Sequence, residues 1–144
     1  MSVPSILAPA AVLVLWSLVV LAWVTATRFP AFAKAGINVA NTPRGARYAD
    51  VEKDMPAKVN WVSHNYTHLM EQPTLFYAAV AILAIAGDTS AVSLYAAWGY
   101  AGLRIVHSLW LGLVNIVRVR IVLFTASTIC LWVLAINGVG VTLA

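Results

Sequence analysis

The sequence predicts an all-α integral membrane protein, a single domain over residues 1–144 in which four transmembrane helices form one bundle. Of the 144 residues, 62% are hydrophobic and only 10% are charged, whereas soluble domains carry about 25% charged residues. The mean hydropathy is +0.86. Because a spanning helix needs about 20 mostly apolar residues, a chain of this length has room for only a few spans.

Uncharged and apolar segments mark the helices. Residues 4–27 carry no charge and follow no basic segment. The run is longer than the apolar core of a signal peptide, about 7–15 residues, so we expect a retained first span. A tight turn, Gly87-Asp88-Thr89-Ser90, separates the two middle segments and offers a helix cap at Thr89 or Ser90. The four predicted spans are about 4–27, 60–86, 91–115 and 118–144, and residues 28–59 form a long loop.

The basic residues concentrate on one predicted side of the membrane. Most lie in loop 28–59, and two lie where the last two spans join. They are Arg28, Lys34, Arg44, Arg47, Lys53, Lys58, Arg118 and Arg120. By the positive-inside rule this places the long loop in the cytoplasm and both termini outside. The net charge of +4 therefore reflects membrane topology, and we expect no nucleic-acid partner.

Two charges lie deep in the middle spans. Glu71 and Arg104 are each about 17 Å from the same predicted membrane face, counted from Asn60 and Asn115 at about 1.5 Å per residue. A charge at a helix centre costs about 2.5–3.5 kcal/mol on insertion scales. Because the two charges lie at one level, an ion pair can form, within one chain or between chains.

Polar side chains extend from these charges as two stripes. His64, His68 and Glu71 share one face of the second span, and a second stripe follows one face of the third. The second stripe comprises Arg104, His107, Ser108, Leu111 and Asn115. Lipid does not solvate such groups, so we expect the stripes to face each other or a wet cavity.

Several interpretations of the stripes remain open at this stage. Polar residues inside a membrane can hold helices together by hydrogen bonds alone, and His64 and Asn65, near the interface, fit that interpretation well. A metal site is a second possibility, because two histidines at i and i+4 can share an ion. Its ligands would be His64, His68, Glu71 and His107. A small proton-coupled transporter is a third, because intramembrane titratable residues often mark proton paths.

Two stretches resemble the MAPEG family, the membrane-associated proteins of eicosanoid and glutathione metabolism. They are HLMEQPTLFY at residues 68–77 and YAGLRIVHSLWLGLVNIVRVR at residues 100–120. The chain is similar to the divergent bacterial branch of that family. The resemblance implies a homotrimer of four-helix subunits in a bacterial inner membrane. It also implies that glutathione binds between subunits near the cytoplasmic side, while lipophilic electrophiles or peroxides arrive from the bilayer.

The resemblance assigns roles to individual residues. Glu71 matches a glutamate that contacts glutathione, and Arg104 matches an arginine lining that site. The arginine that stabilises the thiolate matches Arg118 by one alignment and Arg120 by another. These two point roughly 200° apart on a helix, so at most one faces the site, and Arg118 is the preferred match. A guanidinium beside the sulfur lowers the pKa of a thiol and so favours the nucleophilic thiolate.

Three positions depart from the family pattern. His64 stands in place of an arginine, His68 in place of an asparagine and Leu111 in place of a tyrosine. With His107, the histidines would line the cofactor site. Histidine is mostly uncharged at neutral pH, and leucine donates no hydrogen bond. The resemblance thus implies a glutathione-dependent transferase or peroxidase that acts on lipophilic substrates. The three departures favour an alternative, a non-catalytic MAPEG-fold protein that binds another small anion or a lipid.

Overall fold

The computed structural model describes residues 5–144, so Pro4, where the first span is predicted to begin, lies outside the described residues. Within that range the chain forms six α-helices, two short 3₁₀ turns and no strand, which confirms the all-α prediction. The helices are α1 (Leu7–Lys34), α2 (Tyr48–Val51), α3 (Ala57–Met70), α4 (Pro73–Ile85), α5 (Ala91–Leu113) and α6 (Val117–Leu143). The 3₁₀ turns are Val39–Asn41 and Glu52–Asp54.

Between residues 5 and 144, three helical stretches are long and apolar enough to cross a membrane. They are α1, the combined stretch Ala57–Ile85 that contains α3 and α4, and α6. The 23-residue helix α5 is about 35 Å long at 1.5 Å per residue, but Arg104 and His107 interrupt its apolar run. That α5 crosses as well, which would give four spans, stays a prediction.

Helix α1 continues to Lys34, about two turns beyond the predicted end at residue 27. The sequence suggested an end at the first charge, Arg28. That charge is accommodated because the guanidinium donates to Ser63 Oγ at 2.9 Å and lies 4.0 Å from the centre of the Tyr48 ring. The contacts tie the end of α1 to α3 and to the loop, so the loop begins later than the composition indicated.

The second predicted span is not one helix. The structure divides it into α3 and α4, with Glu71 in a non-helical conformation between them (φ −84°, ψ −97°). Pro73 is the first residue of α4. In a continuous helix its ring would clash with the Leu69 carbonyl and it could offer that carbonyl no N–H, whereas a proline is well tolerated in a first helical turn. The break lies at mid-depth of the predicted span.

Just after the break, where α4 begins, hydrogen bonds between polar side chains join α4 to α5 and α6. Tyr100 on α5 donates to Gln72 Oε1 at 3.3 Å, and Gln72 donates to Thr128 Oγ1 on α6 at 2.9 Å. The predicted cap of α5 is Ser90, whose Oγ accepts from the Ser93 N–H at 3.2 Å. These contacts link α4, α5 and α6 around the interrupted segment.

Candidate functional site

The end of α3 brings three predicted site residues together. His68 Nδ1 lies 3.1 Å from Glu71 Oε2, while the Glu71 side chain is 59% exposed. Arg104 on α5 is fully buried and donates from Nη2 to the backbone carbonyl of His68. The helix break turns the Glu71 carboxylate outward and presents a backbone oxygen to Arg104. Glu71 and Arg104 therefore form no ion pair within the described chain, and that expectation is wrong. An ion pair between chains stays a prediction.

The two polar stripes face each other at the level of the break. The His107 side chain is buried (4% exposed), and its ring centroid is 6.1 Å from that of His68, with the ring planes perpendicular. Phe124 on α6 packs near two residues of the α5 stripe. Its ring centroid is 6.2 Å from that of His107 and 5.5 Å from the guanidinium carbon of Arg104. The stripes thus converge on α6.

A cavity of about 210 Å³ opens where the stripes meet α6. Its lining consists of His68, His107, Val117, Arg120, Ile121 and Phe124. The volume corresponds to about seven water molecules at roughly 30 Å³ each, below the roughly 300–1,000 Å³ of most small-molecule sites. It therefore accommodates part of a ligand, such as a thiol or a carboxylate with the atoms next to it, and not a whole tripeptide.

Of the two arginines near the start of α6, Arg120 lines this cavity and Arg118 is exposed elsewhere on the helix. The opposed directions agree with their two-residue spacing, but the preferred match was Arg118. Arg120 Nη1 donates to Asn115 Oδ1 at 2.7 Å, and its Nε is buried without a partner in residues 5–144. One guanidinium and two imidazoles therefore surround a space whose remaining wall is apolar.

Asn115 determines how α5 turns into α6. Its φ is +58°, in the left-handed region that asparagine tolerates better than most side chains. The residue belongs to the predicted stripe on the third span, but there it had no assigned role. In the structure it both makes the turn and holds Arg120.

Replacing Asn115 separates these two roles. Asn115→Gly keeps the left-handed turn but removes the acceptor for Arg120, so we expect a melting temperature close to that of the wild type and several-fold weaker binding of an anion in the cavity. Asn115→Ala should lose both, with about 1–2 kcal/mol of destabilisation from the strained backbone. Thermal unfolding in detergent and ligand titration measure the two effects. Identical behaviour of the two variants in both assays would contradict this division.

His64 lies outside the cavity and contacts the loop instead. Its Nε2 is 2.5 Å from Glu52 Oε1, and the backbone carbonyl of Glu52 accepts from Asn60 Nδ2 at 3.0 Å. Tyr48 donates to Asn60 Oδ1 at 2.6 Å, so the loop between residues 48 and 54 is anchored on α3. The ligand set weighed for a metal is not gathered, and no three His, Cys, Asp or Glu residues between 5 and 144 could hold a metal ion.

The apolar wall of the cavity was not among the predicted site residues. Val117, Ile121 and Phe124 occur with Arg120 at i, i+3, i+4 and i+7, a spacing that places them on one helix face and could have identified them. Leu111, in contrast, does not line the cavity and is buried in the packing of α5.

A larger cavity of about 560 Å³ lies between α4 and α6. Its lining is apolar except for the paired Gln72 and Thr128 at one end and Thr142, which donates to the backbone of its own helix. It contains none of the predicted site residues, so the smaller cavity, with its arginine and histidines, is the better candidate for chemistry.

Comparison with known proteins identifies a family for the whole arrangement. The family model described as "MAPEG family" matches residues 6–140. The match includes all six residues that line the smaller cavity. No match was found with a curated protein or a solved structure.

Proposed function

The chain belongs to the MAPEG family, and we propose that it is a glutathione-dependent transferase or peroxidase that acts on lipophilic substrates. One observation carries the proposal. A single cavity gathers a partly unpaired arginine, Arg120, with two histidines, His68 and His107, at the level of the helix break. These are donors for a thiolate or another small anion, and no carboxylate lines the cavity to repel one.

The proposed chemistry begins with the sulfur of glutathione in the cavity. Arg120 lowers the pKa of the thiol, and the proton leaves to solvent. In a transferase reaction the thiolate then forms a carbon–sulfur bond with a lipophilic electrophile and expels its leaving group. In a peroxidase reaction two glutathione molecules are oxidised to the disulfide while a hydroperoxide is reduced to an alcohol and water.

The rest of the glutathione molecule requires space beyond this cavity. We infer that a neighbouring subunit of a homotrimer completes the site, because about 210 Å³ is too small for the tripeptide. Glutathione carries two carboxylates and an ammonium group. The exposed carboxylate of Glu71 is suited to the ammonium. The basic loop 28–59, which is predicted to lie on the cytoplasmic side, is suited to the carboxylates.

Titration calorimetry on the detergent-purified protein tests the proposal. We expect glutathione to bind, and Arg120→Met to weaken binding about 10- to 100-fold, because hydrogen bonds to charged groups contribute about 1.5–3 kcal/mol. Arg118→Met removes an arginine of the same helix that points away from the cavity, and should change the affinity less than twofold. Equal losses in the two variants would show that the cavity is not the site.

A second function is favoured by the departures from the family pattern. His64 is paired with Glu52 and Leu111 is buried in packing, so two positions expected to contact glutathione are otherwise engaged. A non-catalytic protein that binds another small anion, or a lipid with an anionic head group, fits the same cavity. In that case glutathione fails to bind at millimolar concentration, whereas inorganic phosphate or a fatty carboxylate binds and is lost in Arg120→Met.

A further inference from the structure

Arg104 is a buried charge without a charged partner. Its side chain is 0% exposed in the middle of α5. The two histidine–carboxylate contacts of the described chain join His64 to Glu52 and His68 to Glu71, so neither provides a carboxylate to Arg104. A buried charge that lacks compensation is strongly destabilising, so another group must stabilise the Arg104 guanidinium.

The break between α3 and α4 supplies that group. The last carbonyls of a helix lack intrahelical partners, and the helix dipole places about half a negative charge at this end. Pro73 removes the N–H that would otherwise reach the Leu69 carbonyl. Arg104 Nη2 donates to the neighbouring carbonyl, that of His68, so its positive charge lies at the negative end of α3.

The guanidinium is also closed to a ligand. Its Nε and Nη1 are buried, without a hydrogen-bond partner in the part of the chain that the structure describes. Arg104 does not line the 210 Å³ cavity but lies behind its wall, 5.5 Å from the centre of the Phe124 ring, within the roughly 6 Å of a cation–π contact. It thus contacts both the end of α3 and the wall of the cavity.

We propose that Arg104 is a positioning residue that caps the interrupted helix α3, and not a residue that contacts the ligand. By holding the His68 carbonyl it fixes where α3 ends, and therefore directs the His68 ring toward the cavity and the Glu71 carboxylate outward. The consequence for glutathione rests on the proposed function, but the capping does not.

Distance measurement between two spin labels tests the capping directly. The natural Cys130 is changed to serine, and labels are attached at Lys58→Cys on α3 and Ile85→Cys on α4, both exposed positions. Labelled subunits are diluted into unlabelled ones so that only distances within a chain contribute. A straight helix would separate the two Cα atoms by about 40 Å at 1.5 Å per residue. The break is expected to give a shorter and narrow distribution.

Three variants of Arg104 and one control follow. In Arg104→Met we expect the distribution to broaden at least twofold, and in Arg104→Lys we expect it to narrow again because the ammonium keeps both the charge and a donor. Arg104→Gln keeps a donor without the charge, so it should be broader than Arg104→Lys even if the methionine variant does not fold. Leu83→Ala removes a fully buried α4 side chain away from the break and should leave the distribution unchanged.

Glutathione titration of the same samples separates the proposal from its rivals. Loss of binding in Arg104→Met with recovery in Arg104→Lys, parallel to the distance distributions, supports a positioning role. A wild-type distribution in Arg104→Met overturns it, and a simultaneous loss of binding would then make Arg104 a ligand contact. If no sample binds glutathione but Arg104→Met still broadens the distribution, the proposed function fails while the capping is supported.

Discussion

Replacement of Phe76 by alanine is expected to destabilise the protein by about 3–5 kcal/mol, the range for removing a buried phenylalanine side chain. Phe76 is 0% exposed, and its ring stacks on that of Tyr100 with centroids 4.3 Å apart. It lies one turn beyond Gln72, whose side chain joins α4 to α5 and α6. The truncation therefore leaves a cavity beside the hydrogen bonds that hold the broken span against its neighbours.

The adjacent residue provides a matched control for this prediction. Leu75 is 63% exposed and lies on the outer face of the same turn, so Leu75→Ala should cost less than about 1 kcal/mol. Unfolding by a denaturing detergent, followed by circular dichroism, measures both. Equal losses for the two variants would contradict the packing described between α4 and α5.

The helices followed from the sequence because apolar composition and charge position are local properties. The interruption at Glu71 did not, although Pro73 was visible. The hydrophobic pattern runs without change across the break, and a proline inside a transmembrane helix can be accommodated by neighbouring groups. In our proposal, whether the chain kinks or starts a new helix depends on a distant residue, Arg104, whose guanidinium donates to the His68 carbonyl at the end of α3.

The candidate site shows the same division between local and distant information. That His68 and His107 face each other was predictable from helical spacing and from the antiparallel direction of their helices. The pairing of Glu71 was not, because the non-helical backbone at that residue turns its side chain outward. The choice between Arg118 and Arg120 depended on the rotation of α6, which the left-handed conformation of Asn115 sets. A shift of two residues in the position where α6 begins rotates the helix by about 200°, which would exchange the directions of Arg118 and Arg120.

The largest effect on activity is expected for Arg120. If it stabilises the glutathione thiolate, Arg120→Met should lower kcat/KM for conjugation of a lipophilic electrophile about 10²- to 10³-fold at pH 7, as removal of one preorganised charge stabiliser does elsewhere. Arg120→Lys should retain part of the activity, since it keeps the charge but not the planar fork of donors. Arg118→Met, on the exposed side of α6, is the control and should remain within twofold of the wild type.

The pH dependence distinguishes this role from a structural one. Without the guanidinium the pKa of the glutathione thiol returns toward its ordinary value near 8.5, so at pH 7 only a few per cent is thiolate. Raising the pH restores the nucleophile in Arg120→Met but adds little in the wild type, where the thiol is already ionised. The ratio of wild-type to variant rates should therefore shrink steadily between pH 6.5 and about 9. A ratio that stays constant would mean that Arg120 supports the fold of the cavity and not the charge of the sulfur.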